Sequence, residues 1–141
     1  MKKAIVRPED VETQVFDWGT IKWLSCPAVT DAKKFTFGVV IVEPGKGHDK
    51  HSHPDAEEII YVISGVAEQF VEGAEPETAP IKQGDLVYIP PGVTHATWNK
   101  GWDPLILIVV YSPPGAEEDL KKIADKVLPP GENPVISAVQ K

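Results

Sequence analysis

From about residue 20 onward, apolar residues arrive in short runs of β-branched and aromatic side chains, each closed by glycine or proline. Such runs, bounded by turn residues, signal the strands of a sandwich or barrel. The pattern predicts strands over 20–26 (TIKWLSC), 35–43 (FTFGVVIVE), 58–64 (EIIYVIS), 66–72 (VAEQFVE), 85–90 (DLVYIP), 95–99 (HATWN) and 105–112 (LILIVVYS). Turn signals separate them: PGKG at 44–47, SG at 64–65, QGD at 83–85 and IPPG at 89–92. One segment has a different rhythm. In AEEDLKKIADKVL (116–128), Leu120, Ile123, Ala124, Val127 and Leu128 recur at helical spacing, with Glu117/Lys121 and Glu118/Lys122 as i,i+4 pairs. The expectation is an all-β fold with one short C-terminal α-helix, in a single domain spanning 1–141, and PPGENP (129–134) reads as a tail or linker.

Composition narrows the function classes without changing this picture. With 14 Lys and Arg against 21 Asp and Glu, the net charge is −7 and no basic stripe is present, which argues against nucleic acid as a partner. The start, MKKAIVRPEDVET, lacks the apolar stretch of a signal peptide. The longest apolar run, LILIVVY at 105–111, is far shorter than the roughly 20 residues of a membrane helix. A cytoplasmic protein with no membrane contact is therefore expected. Cys26 is the only cysteine, so neither an internal disulfide nor a cysteine zinc cage is available, and it reads as a small buried hydrophobe. No G-x-S-x-G elbow, phosphate-binding G-x-x-x-x-G-K-[ST] loop or deaminase P-C-x-x-C occurs.

The chemistry concentrates in the histidines. Of four in the chain, His48, His51 and His53 fall within six residues, and histidine is the commonest metal ligand. In an extended chain His51 and His53 point the same way, so their imidazoles can share a cation. Glu58 begins the next apolar run and can face the same interior. His95 begins another strand and can complete the set. Glu57 is the alternative carboxylate if the strand register shifts by one.

Two glycine-punctuated stretches frame these residues. The first runs Gly45, five residues, His51-Ser52-His53, four residues, Glu58, six residues, Gly65. The second runs Gly84, five residues, Pro90-Pro91-Gly92, two residues, His95, three residues, Asn99. At these residue frequencies either pattern arises by chance at below about one in a million starting positions. Together they resemble the two motifs of the cupin superfamily at every specified position. The resemblance implies a double-stranded β-helix, or jelly-roll, barrel with its conserved core over about 35–112 and the helix over about 116–128. It also implies His51, His53, Glu58 and His95 as ligands of one divalent transition metal. Mn, Fe, Ni and Zn all suit three imidazoles and a carboxylate with open positions left for substrate. Gly45, Gly65, Gly84 and Gly92 fall where positive φ is plausible.

Further candidates for the substrate pocket are His48, Gln69, Phe70, Trp98 and Tyr111, although His48 sits in PGKGHDKH and reads mainly as a loop residue, and aromatic strand residues more often serve the core. If Glu58 faces inward, so do Ile60 and Val62; if His95 does, so do Thr97 and Asn99. The family reading is a metal-dependent enzyme acting on a small polar substrate such as a carboxylate or sugar acid, of isomerase, lyase or decarboxylase type. An Fe(II)-dependent dioxygenase and a non-catalytic ligand-sensing barrel are the alternatives. Segments 17–24 and 111–118 loosely resemble those that dock small cupins onto a second subunit, and exposed strand edges in a two-sheet fold favour a homodimer.

Overall fold

Alternation sets the architecture. In Glu57–Ser64 the even positions Glu58, Ile60 and Val62 are buried while Glu57, Ile59 and Tyr61 are exposed, so one face of this strand belongs to a core. The structure, a computed structural model, describes residues 2–132. Its strands are β1 (Thr13–Phe16), β2 (Gly19–Ser25), β3 (Thr36–Val42), β4 (Gly47–His51), β5 (Glu57–Ser64), β6 (Val66–Val71), β7 (Thr78–Lys82), β8 (Leu86–Ile89), β9 (His95–Asn99), β10 (Leu105–Ser112) and β11 (Lys126–Leu128). Two short helices are α1 (Pro27–Thr30) and α2 (Ala116–Ile123).

All pairings are antiparallel. A seven-stranded sheet runs β11-β1-β2-β3-β10-β5-β8, and a four-stranded sheet runs β4-β9-β6-β7. Their inner faces enclose one core that includes Ile21, Trp23, Val40, Val42, Ile60, Val62, Leu105, Leu107 and Val109. This is the jelly-roll arrangement. Gly45, Gly65, Gly84 and Gly92 all adopt positive φ, between 76° and 97°, as the turns demanded. Cys26 is buried, and burial pushes its thiol pKa up.

The helix is shorter than its periodicity suggested. Instead of continuing to 128, α2 stops at Ile123; Ala124 turns to extended geometry and Lys126–Leu128 becomes β11, with Val127 opposite Gln14. The Asp125 N–H donates to the Val15 carbonyl at 2.8 Å. An otherwise unpaired edge on β1 thus captures the chain, and its ladder bonds outweigh a local helical rhythm. The anticipated Glu117/Lys121 pair also gives way. Glu117 turns back to accept the Gly115 N–H at 2.8 Å, a donor that α2 leaves unsatisfied, and Lys121 reaches Glu12 at 2.9 Å. Part of the 129–134 tail, from Asn133 on, lies outside the described residues.

A buried polar relay fixes α2 over one mouth of the barrel. Trp23 Nε1 donates to Gln14 Oε1 (3.1 Å), and Gln14 Nε2 donates to the Glu117 carbonyl (3.0 Å). Ala116 and Leu120 pack against the core below.

Candidate metal centre

Strand register brings the histidines together. In β4 and β9, His51 lies directly opposite His95, and in the next row inward His48 lies opposite Thr97, which lies opposite Gln69 of β6. Close strand approach is made possible by Gly47, where a Cβ would come within 2.4 Å of Trp98 Cδ1 and 2.5 Å of the Thr97 carbonyl. His53 follows β4 on a loop held by the Gly92 N–H, which donates to the His53 carbonyl at 2.9 Å. One ring nitrogen each of His51, His53 and His95 falls within a mutual 4.8 Å. Glu58 reaches the same point from the opposite sheet, with Oε1 2.9 Å from His95 Nε2 and 3.8 Å from His53 Nε2. Glu57 faces outward and accepts the Tyr88 hydroxyl at 2.6 Å, so of the two carboxylates Glu58 is the one at the cluster.

The hydrogen-bonding pattern fixes what these groups present. His95 Nδ1 donates to the Val93 carbonyl (2.9 Å) and His51 Nδ1 to the Asp49 carbonyl (2.6 Å), which leaves each Nε2 a bare lone pair when the ring is neutral. His53 Nε2, His95 Nε2 and Glu58 Oε1 are buried and complete no hydrogen bond among the described residues. Two acceptors, His95 Nε2 and Glu58 Oε1, therefore face each other at 2.9 Å. Only a cation between them, a proton or a metal ion, makes that contact favourable.

The titration behaviour has the same origin. Burial pulls His51 down to about 4, helped by the neighbouring His95, and burial together with the other three imidazoles pulls His48 down to about 3. Burial also lowers His53 against the pull of Glu58. In His95 burial is outweighed by the Glu58 carboxylate, and the pKa rises. Tyr111 is raised well above its ordinary value by burial and by Glu58, which its hydroxyl meets. His48, His51 and His53 are thus held in the neutral form, the state in which an imidazole ligates a metal.

The sequence candidates for the pocket divide into two groups. Tyr111 packs edge-on against the His53 ring at 4.8 Å, and His48 stacks on His51 at 3.8 Å and on Trp18 at 5.2 Å. His48 is accordingly a half-buried strand residue rather than the exposed loop residue expected, because β4 begins at Gly47 and its register turns His48 inward. Gln69 also faces inward, one row behind His51 and His95, and accepts the Thr97 hydroxyl at 2.5 Å. Phe70 and Trp98 point to the other side of the small sheet by the parity of β6 and β9; Lys50 lies over the Phe70 ring at 4.3 Å. They line neither cavity described below. As the parity argument required, Ile60, Val62, Thr97 and Asn99 are buried.

Outside the cluster, a pocket of about 390 Å³ opens between the 51–56 loop and α2, with His48, His51 and His53 on one wall and Pro113, Asp119 and Ile123 on the other. Behind the cluster the barrel holds a void of only about 40 Å³. Leu120 borders both spaces. Asp119 and Trp18 were not singled out from sequence, and Leu120 was read only as part of the helical stripe. Their roles at the pocket depend on how α2 and β2 dock, which no local motif encodes.

The family profile described as Cupin domain matches residues 38–111. The chain belongs to the cupin family. This cupin is 27% identical to polyketide synthase CurC of Streptomyces cyaneus, over 80% of the present chain and 71% of CurC. It is 34% identical to glucose-6-phosphate isomerase of Thermococcus kodakarensis over 64% of its own length, and spans 52% of that isomerase. A solved structure of Bacillus subtilis oxalate decarboxylase, with its Mn(II) centres, superposes with a TM-score of 0.60 at 27% identity, over 67% of this cupin and 26% of the decarboxylase.

Proposed function

We propose that this cupin is a metal-dependent enzyme that holds one divalent ion through His51, His53, His95 and Glu58 and acts on a small, oxygen-rich substrate such as a carboxylate or sugar acid. The observation that carries this reading is the buried pair of acceptors, His95 Nε2 and Glu58 Oε1, 2.9 Å apart beside two further imidazoles. A divalent ion there would act as a Lewis acid on substrate oxygens. The chain's own residues do the rest. His51 and His95 are held in one tautomer by backbone carbonyls, Tyr111 lies beside the Glu58 carboxylate, and the open pocket beneath α2 has room for a ligand. Asp119 and Asp55 on the pocket wall are the carboxylates placed to take or return a substrate proton.

Isomerisation, elimination and decarboxylation all pass through oxyanion charge beside a carbonyl, and relatives named for isomerase and decarboxylase activities support that class. The test is elemental analysis of protein purified without chelator or affinity tag, followed by an anaerobic assay against hydroxy acids, keto acids and sugar acids. About one ion per chain is expected, lost in a His51→Ala/His53→Ala variant, with turnover persisting without O2. A wild-type chain that carries no metal and takes none up from Mn, Fe, Ni or Zn salts overturns the reading.

A further inference from the structure

The pocket beneath α2 carries one sign of charge on its walls. Besides the imidazoles of His48, His51 and His53, its polar side chains are Ser52, Asp55 and Asp119, and no lysine or arginine lines it among the described residues. Neither aspartate side chain makes a hydrogen bond or an ion pair there, so both carboxylates are available to whatever fills the space. Asp119 stands near enough to His53 to act on its ring electrostatically. The feature that ordinarily draws an anion, the N-terminal end of a helix, is closed. Gly115 and Ala116 border the pocket at the start of α2. The Gly115 N–H, however, is taken by the Glu117 carboxylate at 2.8 Å, and Glu117, Glu118 and Asp119 already occupy the first turn. Away from the metal donors the pocket therefore offers chiefly hydrogen-bond acceptors and negative charge.

We propose that Asp119 and Asp55 are specificity residues: they admit a substrate whose tail, the end away from the metal, bears hydroxyl or ammonium donors, and they reject a tail that bears a second anion, such as a phosphate ester or a further carboxylate. This rests on the reading of the histidine cluster as a metal site that holds the substrate's oxygens. The histidines line one wall and Asp119 the other, so a ligand that spans the pocket meets both. Its two ends then face opposite demands. A divalent ion attracts an oxyanion at the head, whereas the tail stands beside carboxylates with no cation to neutralise it. Selection of this kind works through an unpaired like charge as much as through a good contact. The net charge of −7 acts in the same sense on any multiply charged anion that approaches.

The experiment is titration calorimetry of Mn(II)-loaded protein with four probes that share an α-hydroxycarboxylate head: gluconate, 6-amino-6-deoxygluconate, glucarate and 6-phosphogluconate. The first two are expected to bind more tightly than the last two by about tenfold or more. Raising NaCl from about 20 to about 500 mM should shrink that gap. Asp119→Asn should narrow it, and Asp119→Lys should make 6-phosphogluconate a tighter binder than gluconate. Glu75→Lys, the same change of charge in the exposed turn between β6 and β7, should leave the order as in wild type. Circular dichroism and metal content verify that each variant is folded and loaded. Equal affinity for all four probes, tighter wild-type binding of either doubly anionic probe, or a gap left unchanged by Asp119→Asn overturns the proposal. Failure of all four to bind overturns it as well, and metal content then separates the two readings. Protein that still carries Mn loses only the assignment of the tail, whereas protein without it loses the metal site too.

Discussion

At the residue scale, Tyr111 shows how a side chain outside the ligand set tunes it. Its hydroxyl meets Glu58 while its ring packs on His53, so it orients two of the four donors at once. Tyr111→Phe removes only the oxygen and keeps the ring. We expect unchanged folding and a metal affinity weaker by about tenfold, the usual cost of losing a group that holds a ligand; titration calorimetry with Mn or Zn checks it, and an affinity equal to wild type would show that Glu58 needs no such support. The choice between Glu57 and Glu58 is likewise a residue-scale matter. The spacing to Gly65 pointed to Glu58, and strand parity places it inward. His48 could not be placed from sequence, since nothing in PGKGHDKH tells a polar strand from a loop.

At the element scale, α2 acts as the roof of the pocket, and Leu120 is the wedge between the outer pocket and the inner void. Truncating a buried leucine typically costs about 2–5 kcal/mol. Leu120→Ala should lower the unfolding free energy by an amount in that range, measured by urea denaturation, and should join the two spaces. A loss below about 0.5 kcal/mol would mean that α2 is not seated on the core. The elements most legible in sequence were those with strong alternation or unbroken apolar runs, namely β5, β9 and β10. Those missed were β1, β4, β7 and β11. Of these, β4, β7 and β11 lie at sheet edges and are short or polar, with Pro80 inside β7. Edge strands owe their conformation to the partner that binds them, and proline is tolerated there because its missing N–H faces outward. The overlong helix has the same cause, since β11 exists only because β1 needs a neighbour.

At the scale of the whole molecule, the cluster couples acidity to stability. In metal-free protein His48, His51 and His53 are held below their ordinary 6.5, His48 to about 3 and His51 to about 4. Between pH 6.5 and 4 the unfolded chain therefore binds protons that the folded chain refuses, so stability falls as pH falls through that window. His95, raised by Glu58, works in the opposite sense: its contribution is present below pH 6.5 and is lost as pH rises through its elevated folded value. Three groups against one give a net loss on acidification. The melting temperature of chelator-treated protein should be lower at pH 5 than at pH 7 by on the order of 5 °C. A flat or rising profile by scanning calorimetry contradicts this, and His48→Gln should shallow the slope. The histidine-glutamate set itself was legible because both glycine-framed motifs lie wholly within 45–99. The pocket was not, because its other wall comes from residues 113–123, brought over by the Gln14 relay.

The void behind the histidines, about 40 Å³, has room for little more than one water molecule, whose share of liquid volume is about 30 Å³. A ligand larger than water therefore has no room behind the histidines and must sit in the pocket beneath α2. Under the proposed function reactant and product would occupy that same space, and accumulated product should slow turnover in a manner that more reactant fully reverses.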